Sequence, residues 1–355
     1  MAREAVSRIA VLRALSLGDM VCATRALNAL RAKFPQATIT LVGQAWAAGW
    51  ASRIEAIDEF IALPPHPLTG EASSPDAWQA FISRMREMRF DLALQMHGSG
   101  SISNGIVLQW RARHTLVFHE PQVAPPAGAC GMPWPDRGSE PLRLLRLLRL
   151  IEPLGMPEEA MGAISLSHPV TDDDRFKLAA LLEACGRAPG RGTGWVCVHP
   201  GSKWRSRRWP VARFAQVARE LSERGHDILL TGAQAERPLI EEISRQVPHA
   251  INLCGRTDLW TLGAAIEGAR LLVCNDTGVS HIAAALGVPS VVISCGSEVA
   301  RWSPADPLRH RVLWSAPPCR PCMGSECSQP VHRCAQDISV EQVLATAEEA
   351  LLARR

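Results

Sequence analysis

Short apolar runs alternate with longer amphipathic runs along the first third of the chain. Residues 8–13, 38–42, 90–96 and 115–118 have the character of buried strands, and residues 20–33 repeat apolar positions with helical spacing. Strands that alternate with helices in this way are typical of a parallel sheet covered on both faces. The pattern therefore predicts an α/β domain at the N-terminal end of the chain.

The same alternation begins again at Trp195, after a run rich in Gly, Pro and Arg. Predicted strands at residues 196–199, 227–231, 271–274 and 290–294 alternate with predicted helices at residues 211–224, 235–246, 259–268 and 279–286. A chain of 355 residues is also longer than one core usually supports. We therefore expect an N-terminal domain at residues 1–175, a linker at 176–194, and a C-terminal domain with a Cys-rich tail at 195–355.

Composition excludes some classes of function. The net charge of +3 is too small to indicate nucleic acid as a partner. The N-terminal residues lack the pattern of a signal peptide, and we find no uncharged apolar run of about 18 residues that would span a membrane. We therefore expect a cytoplasmic protein whose 11 cysteines are thiols or metal ligands rather than disulfides.

The first candidate for chemistry is the loop after the first predicted strand, which ends in Gly18 and Asp19. Gly18 allows close approach of the backbone, and Asp19 stands at the N-terminus of the predicted helix. A carboxylate at the end of a parallel strand can act as a general base. Asp is also a favoured helix cap, and the helix dipole that stabilises its charge weakens it as a base. The residues alone favour the cap.

The loop after the first strand of the second unit, residues 199–210, carries four cations, among them Lys203 and Arg207. Backbone amides around Ser202 could cradle phosphate oxygens, and the cations could neutralise a diphosphate. A solvated basic loop is the alternative. Because the loop follows a strand and begins with Gly-Ser, we favour phosphate binding.

Two other strand ends carry polar groups. Asp276, Thr277 and Gly278 follow a predicted strand and open a helix, which suits a second anion site, and His281 lies one turn into that helix. Helix capping by Asp276 or Thr277, with His281 as a packing residue, fits the pattern equally well. Glu236 follows a third strand end, where it could bind ribose hydroxyls or complement the helix dipole.

The tail of the chain carries four clustered thiols, namely Cys319, Cys322, Cys327 and Cys334. Such a cluster could hold a structural zinc or iron ion. Its spacing is not that of a standard zinc finger, and we favour reduced free thiols.

Two charged segments have a structural interpretation. Residues 142–150 place three arginines on one face of a predicted helix, which suits an anionic membrane surface or, as we favour, a solvated face opposite a buried Leu stripe. Residues 172–174 are three aspartates, which we interpret as a helix cap and first-turn charge rather than as a metal site.

Taken in order along the chain, these motifs resemble those of the heptosyltransferases of glycosyltransferase family 9. The likeness is carried by residues 13–19, 208–210, 231–232 and 275–281, and it extends from residue 8 to about residue 343. The run from Asp276 to His281 is its most specific part.

The resemblance implies an inverting enzyme of the GT-B fold, in which two Rossmann-like domains face each other across a cleft. Such an enzyme moves a heptose from an ADP-linked donor to the lipopolysaccharide core and requires no metal for catalysis. The resemblance also implies that Asp19 is the base and that the run from Asp276 to His281 meets the donor. The donor-phosphate lysine of the family corresponds here to Arg207, and Lys203 is the alternative for that role.

On the acceptor side we expect Gly18, His97 and Ser99, since the Gly/Ser-rich loop 97–101 also follows a strand. The expected acceptor is a lipid-linked or lipopolysaccharide-type glycan, with at most peripheral contact with the cytoplasmic face of the inner membrane. Two alternatives stay open. One is an enzyme of the same fold with another donor or with a capsule or protein acceptor; the other is a non-catalytic protein whose Cys tail senses metal or redox state.

Overall fold

The structure is a computed structural model that describes residues 6–72, 74–151, 165–186 and 194–353. The chain forms two compact units, Met1–Ser167 and His168–Arg355. Each unit is built on one parallel sheet of six strands, as the alternation of strands and helices predicts. Among the helices that the structure describes, none combines the length and apolar character needed to cross a membrane.

The first sheet has two edge strands that the sequence pattern did not indicate. Its order is β3-β2-β1-β4-β5-β6, with every neighbouring pair parallel, where the numbers follow the chain. Both edge strands, β3 and β6, are only four residues long and have two exposed residues each, so neither has the pattern of a long buried strand. The strands are β1 (Arg8–Leu12), β2 (Thr38–Gly43), β3 (Glu59–Ala62), β4 (Leu92–Gln95), β5 (His114–His119) and β6 (Cys130–Pro133).

Five α-helices accompany this sheet in the described part of the first unit. They are α1 (Leu17–Lys33), α2 (Ala48–Ala51), α3 (Pro75–Glu87), α4 (Ser103–Gln109) and α5 (Glu140–Arg146), with 3₁₀ turns at Ala45–Ala47, Pro67–Thr69 and Leu147–Leu150. The expectation of a wholly solvated arginine face on residues 142–150 was wrong. Arg143 is buried, and its guanidinium donates to the carbonyls of Asp136 and Gly138.

The second sheet repeats the first in its connectivity. Its order is β12-β11-β10-β7-β8-β9, again parallel throughout. The strands are β7 (Trp195–His199), β8 (Ile228–Leu230), β9 (Ile251–Asn252), β10 (Ala269–Asn275), β11 (Ser290–Ile293) and β12 (His310–Leu313). Four of them match the predicted strands, and β9 and β12 are the edges.

Eight α-helices belong to the described part of the second unit. They are α6 (Asp172–Ala184), α7 (Val211–Glu223), α8 (Arg237–Gln246), α9 (Leu259–Glu267), α10 (Gly278–Leu286), α11 (Val299–Trp302), α12 (Arg333–Gln336) and α13 (Val340–Leu352), with 3₁₀ turns at Arg205–Arg207 and Gln234–Glu236. The three aspartates at residues 172–174 lie in the first turn of α6, as predicted, but none of them is its N-cap residue. Thr171 caps α6, and the carboxylate of Asp174 accepts from the backbone N–H of Thr171 at 2.9 Å.

The division between the units differs from the predicted one. It falls between Ser167 and His168, so residues 168–175 belong to the second unit. The first half of the predicted linker continues α6, whose Leu178 and Leu182 are buried against Leu229 and neighbouring apolar residues. The composition suggested a linker because α6 carries many exposed polar residues. The remaining part of the predicted linker, residues 187–193, lies outside the described part of the chain.

The strand order brings candidate loops together at two points. In the first sheet the chain runs outward from β1 through β2 to β3 and then returns to β4 on the other side of β1. In the second sheet it runs from β7 through β8 to β9 and returns to β10. Ligands of open parallel sheets bind outside the carboxyl ends of the strands at such reversals. We therefore expect the candidate binding residues in the loops after β1 and β4 and in those after β7 and β10.

The helix α6 offers a test of the revised boundary. Leu182→Ala removes a side chain that is 4% exposed, and we expect it to lower the free energy of unfolding of the second unit by about 2–5 kcal/mol. Phe176→Ala on the same helix, at a position 72% exposed, is the matched control with an expected change of about 0.5 kcal/mol or less. Urea denaturation followed by tryptophan fluorescence measures both, and equal small effects would contradict the packing of α6.

Candidate active site

Asp19 lies in the first turn of α1 but is not its cap. Ser16 is the N-cap residue, with extended backbone angles, and Asp19 is the third residue of the helix. Its side chain is 20% exposed, so the carboxylate stays open to a bound molecule. The interpretation of Asp19 as the N-cap residue was therefore wrong, although the positive end of the helix dipole still acts on it.

Arg13, directly after β1, contacts Asp19 with its guanidinium group. The Arg13 side chain is fully buried, and its Nε donates to the carbonyl of Asp19 at 2.9 Å. One terminal nitrogen donates to the carbonyl of Met96 at 2.6 Å. The other lies 3.5 Å from Oδ1 of Asp19 and 3.0 Å from Oε1 of Glu140, the first residue of α5. One cation thus holds both the main chain and the carboxylate of Asp19.

His97, after β4, contacts the segment between β1 and α1. Its Nδ1 accepts a hydrogen bond from the backbone N–H of Ala14 at 3.2 Å. Burial, and then the charge of Arg13, lower the pKa of His97 to about 4. The imidazole is therefore neutral near pH 7, and because Nδ1 accepts, its proton is on Nε2. His97 can donate to a ligand hydroxyl but is a poor acid.

The loop that carries His97 is fixed by a buried amide. Gln95, the last residue of β4, donates to the carbonyl of His97 at 2.7 Å and to Oγ of Ser103 at 2.6 Å. Its oxygen accepts from the backbone N–H of Phe118 at 3.2 Å. These bonds satisfy polar groups where the sheet ends, so the loop has a defined shape.

Ser99 lies at the outer part of this loop, where its hydroxyl donates to the carboxylate of Glu120. The next residue, Gly100, has a φ of +88°, and a Cβ there would collide with the carbonyl of Phe118. Only glycine fits this position without strain. The structure thus places His97 and Ser99 on one loop, which contacts Ala14 in the segment between β1 and α1.

In the second unit, Asn275 joins two of the predicted motifs. It ends β10, and its buried side-chain amide donates to the carbonyl of Pro200 at 2.7 Å and accepts from the backbone N–H of Trp209 at 2.9 Å. The basic loop after β7 is therefore held at both ends by β10. Ser202 in that loop is buried, while Lys203 is exposed.

Arg207 is placed differently from the expectation for a phosphate ligand. Its side chain is buried, and the guanidinium donates to the carbonyls of Cys295 at 3.1 Å and Cys322 at 2.6 Å. It thereby ties the basic loop to the Cys-rich tail. Lys203 keeps its ammonium group exposed, so the two cations that the sequence left as alternatives have distinct surroundings.

Glu236 occupies a capping position after β8. Its carboxylate accepts from the backbone N–H of Ala233 at 2.8 Å and lies 3.9 Å from Nε2 of His199. It also fills the space that a Cβ on Gly201 would need, which explains the glycine there. Burial lowers the pKa of His199 and the charge of Glu236 opposes this shift, while Nδ1 of His199 lies 3.0 Å from the hydroxyl of Thr231. Cap formation accounts for most contacts of Glu236.

The motif after β10 is divided between an open turn and a buried helix face. Thr277 is the N-cap residue of α10, which begins at Gly278, so the helix N-terminus lies where the sequence predicts it. The carboxylate of Asp276 accepts from the hydroxyl of Ser297. His281 is only 4% exposed, and its ring centre lies 6.2 Å from that of Trp302. These contacts fit the prediction that His281 is a packing residue.

The four tail cysteines line one cavity together with His332 and Arg320. Cys319 is exposed, Cys322 and Cys327 are half-buried, and Cys334 is buried. Among residues 6–72, 74–151, 165–186 and 194–353, no three Cys, His, Asp or Glu side chains come close enough together to hold a metal ion. The tail thiols therefore do not form a ligand set here, and metal binding stays a prediction.

One thiol pair in the tail has unequal acidity. A hydrogen bond from Cys295 lowers the pKa of Cys334 to about 6, against the effect of burial and with help from His332 and Arg320. The pKa of the Cys295 thiol is raised well above its ordinary value, because it donates to Cys334 and is buried. Cys334 therefore carries most of the negative charge of the pair near pH 7.

Three buried polar residues, Arg13, Glu140 and Asn275, were not among the predicted site residues. Arg13 and Asn275 share a sequence feature that could have shown them, since each is a polar residue at the end of an apolar run. Glu140 had no such feature, because only tertiary structure brings it to Arg13, 127 residues away.

Comparison with known proteins adds independent evidence. The family model described as glycosyltransferase family 9 (heptosyltransferase) matches residues 140–332. Lipopolysaccharide heptosyltransferase 2 of Salmonella typhimurium is 25% identical, over 92% of this chain and 94% of that protein. Lipooligosaccharide heptosyltransferase 2 of Campylobacter jejuni is 32% identical, over 43% of this chain and 50% of that protein.

Two solved structures share the fold over nearly the whole chain. The family 9 glycosyl transferase of Veillonella parvula has a TM-score of 0.79 at 20% identity, covering 99% of both chains. The ADP-heptose heptosyltransferase II of E. coli has a TM-score of 0.73 at 21% identity, covering 98% of this chain and 99% of that one. At these identities the likeness confirms the fold, which was predicted as two Rossmann-like sheets.

The contacts of Arg207 predict its effect on stability. Arg207→Lys keeps the charge but loses the planar fork that reaches both carbonyls, so we expect the free energy of unfolding to fall by about 2 kcal/mol. Arg205→Lys, at a neighbouring side chain that is 74% exposed, is the control and should leave stability unchanged. Chemical denaturation measures both variants; a midpoint for Arg207→Lys equal to that of the wild type would refute the structural tie.

Proposed function

Because the chain belongs to glycosyltransferase family 9, the heptosyltransferase family, we propose that it transfers a heptose from ADP-heptose to a lipopolysaccharide-core acceptor. The observation that carries the chemical part of this proposal is the carboxylate of Asp19. It is partly exposed, lies in the first turn of the helix that follows the central strand β1, and is contacted by Arg13. The fold is GT-B, with one Rossmann-like sheet in each unit.

In the proposed reaction an acceptor hydroxyl attacks the anomeric carbon of the heptose. Asp19 accepts the proton of that hydroxyl as the new carbon–oxygen bond forms. The bond between the anomeric carbon and the diphosphate oxygen breaks, and ADP leaves with the electron pair. A single displacement of this kind inverts the configuration at the anomeric carbon. Asp19 serves once in each turnover and returns its proton to water.

The donor diphosphate is proposed to bind in the second unit. The helix N-terminus at Thr277 and Gly278 supplies backbone N–H groups, and Lys203 supplies an exposed positive charge. Ser202 lies beside Lys203 on the loop that Asn275 holds to β10. These groups favour the charge that develops on departing ADP, so the proposal needs no metal ion for this step.

The other predicted donor residues act mainly through structure in this proposal. Arg207 holds the basic loop to the tail, and Glu236 caps a turn against Gly201. The carboxylate of Asp276 accepts from Ser297. His281 is buried and packs near Trp302. They shape the donor site, and Lys203 rather than Arg207 takes the diphosphate.

The acceptor is proposed to bind in the first unit, beside Asp19. Gly18, the second residue of α1, leaves its place at the helix N-terminus free of a side chain. His97 offers a neutral Nε2–H donor to a sugar hydroxyl. Ser99 and Glu120 form a polar pair at the outer part of the neighbouring loop. The proposed acceptor is lipid-linked, with peripheral contact between the enzyme and a membrane surface.

The proposed base is tested by Asp19→Asn, which keeps the shape of the side chain and removes its charge. We expect kcat to fall by a factor on the order of 10²–10⁴, with ADP affinity unchanged. Asp76→Asn, in the first turn of α3 and exposed, is the matched control and should keep wild-type turnover. Turnover is followed by ADP release, and an active Asp19→Asn enzyme would remove the assigned role.

The proposed donor site is tested by Lys203→Gln. Loss of the exposed cation should weaken ADP binding roughly tenfold, with the thermal midpoint of the unliganded protein unchanged. UDP and GDP serve as controls for the nucleotide, since an ADP-linked donor predicts that they stabilise the protein less than ADP does. Stabilisation by UDP or GDP but not by ADP would instead support the alternative of another sugar donor.

A further inference from the structure

Arg13 and Glu140 form a buried ion pair directly behind Asp19. The side chain of Arg13 is 0% exposed and that of Glu140 is 1% exposed, and they approach to 3.0 Å. Taking two charges out of water is costly, and an apolar pair of similar volume would usually serve stability as well or better. A role in fixing and tuning Asp19 explains why charges occupy these positions.

The geometry places one cation between two carboxylates. The guanidinium lies 3.0 Å from Oε1 of Glu140 and 3.5 Å from Oδ1 of Asp19. The attraction between charges falls with distance and rises as water is excluded, so the buried and nearer Glu140 takes the larger share of the Arg13 charge. The contact of Arg13 with Asp19 is the longer and more exposed of the two.

Other charged groups near the pair have contacts of their own. His97 is neutral near pH 7, because burial and Arg13 lower its pKa to about 4. On α5, Arg143 donates to the carbonyls of Asp136 and Gly138, and Arg146 reaches the carbonyl of Arg137. On α1, Arg25 lies almost two turns beyond Asp19 and is itself largely buried.

We propose that Arg13 and Glu140 are positioning residues, in which Arg13 fixes the main chain and carboxylate of Asp19 and Glu140 shares the Arg13 charge so that Asp19 stays basic. The inference rests on the proposed role of Asp19 as base. Nε and both terminal nitrogens of Arg13 are engaged, and only the flat fork of arginine can make these contacts together.

The sign of the effect follows from the charges. In Glu140→Gln the guanidinium is no longer shared, so it stabilises the ionised form of Asp19 more strongly. The acid limb of the kcat/KM profile should move to lower pH by about one unit. The plateau should fall about tenfold, since Asp19 becomes a weaker base. Glu140→Asp retains the charge and should restore most of the wild-type profile.

The experiment measures kcat and KM for ADP-heptose between pH 5 and pH 9 in the full-length protein. Arg13→Lys should lower kcat by about 10²-fold and change KM by less than about threefold, because the base is misplaced while the donor site is intact. Asp174→Asn is the control for a merely structural loss, since it removes a buried capping carboxylate from the second unit. It should lower the thermal midpoint without moving the pH profile.

The outcomes separate this inference from the proposed function. If Glu140→Gln folds and keeps the wild-type pH profile and kcat, the positioning role is wrong even when Asp19→Asn is inactive. If Asp19→Asn is active, the proposed base itself fails. If Glu140→Gln does not fold, the comparison of Arg13→Lys with Asp174→Asn decides: an unchanged kcat in Arg13→Lys overturns the inference.

Discussion

At the carboxyl ends of the central parallel strands the chain leaves the hydrogen-bonded sheet while it is still buried. The candidate site depends on which groups provide hydrogen bonds to the main chain at these points. The backbone that leaves each strand must find hydrogen-bond partners away from the sheet. Arg13, Gln95 and Asn275 supply them, each buried at or just beyond a strand end and bonded to main-chain groups of the adjoining loops. The loops are rigid because these side chains are fixed.

Rigid loops have a direct consequence for catalysis. A base or a phosphate-binding turn lowers a reaction barrier only when its position is set before substrate arrives. In the first unit, Arg13 binds the carbonyls of both Asp19 and Met96, and the neighbouring Ala14 donates to His97. In the second unit, Arg207 connects the basic loop to the Cys-rich tail, because it donates to the carbonyls of Cys295, after β11, and Cys322, in the tail. The tail therefore supports the donor loop in this account, whether or not it also binds a metal ion.

The sequence predicted the central strands and long helices because their apolar periodicity is strong, and it located the loops that follow them. It missed the edge strands β3 and β6, which are four residues long and half exposed. It also assigned most of α6 to a linker, because the polar surface of that helix hides a narrow buried stripe. Among site residues, Asp19 and Thr277 could be found because each follows a strand and opens a helix. Glu140 could not, since only the tertiary fold brings it to Arg13. The sequence left open whether Arg207 or Lys203 binds the phosphate. The two side chains differ in burial, which the local sequence does not encode.

The central claim is that heptose transfer is a single displacement at the anomeric carbon, in which Asp19 is the base. The configuration of the product tests it most directly. With ADP-heptose of defined anomeric configuration and a suitable core acceptor, the one-bond carbon–hydrogen coupling at the anomeric position of the isolated product reports the new linkage by NMR. The account predicts a linkage opposite in configuration to that of the donor. A product that retains the donor configuration would contradict it.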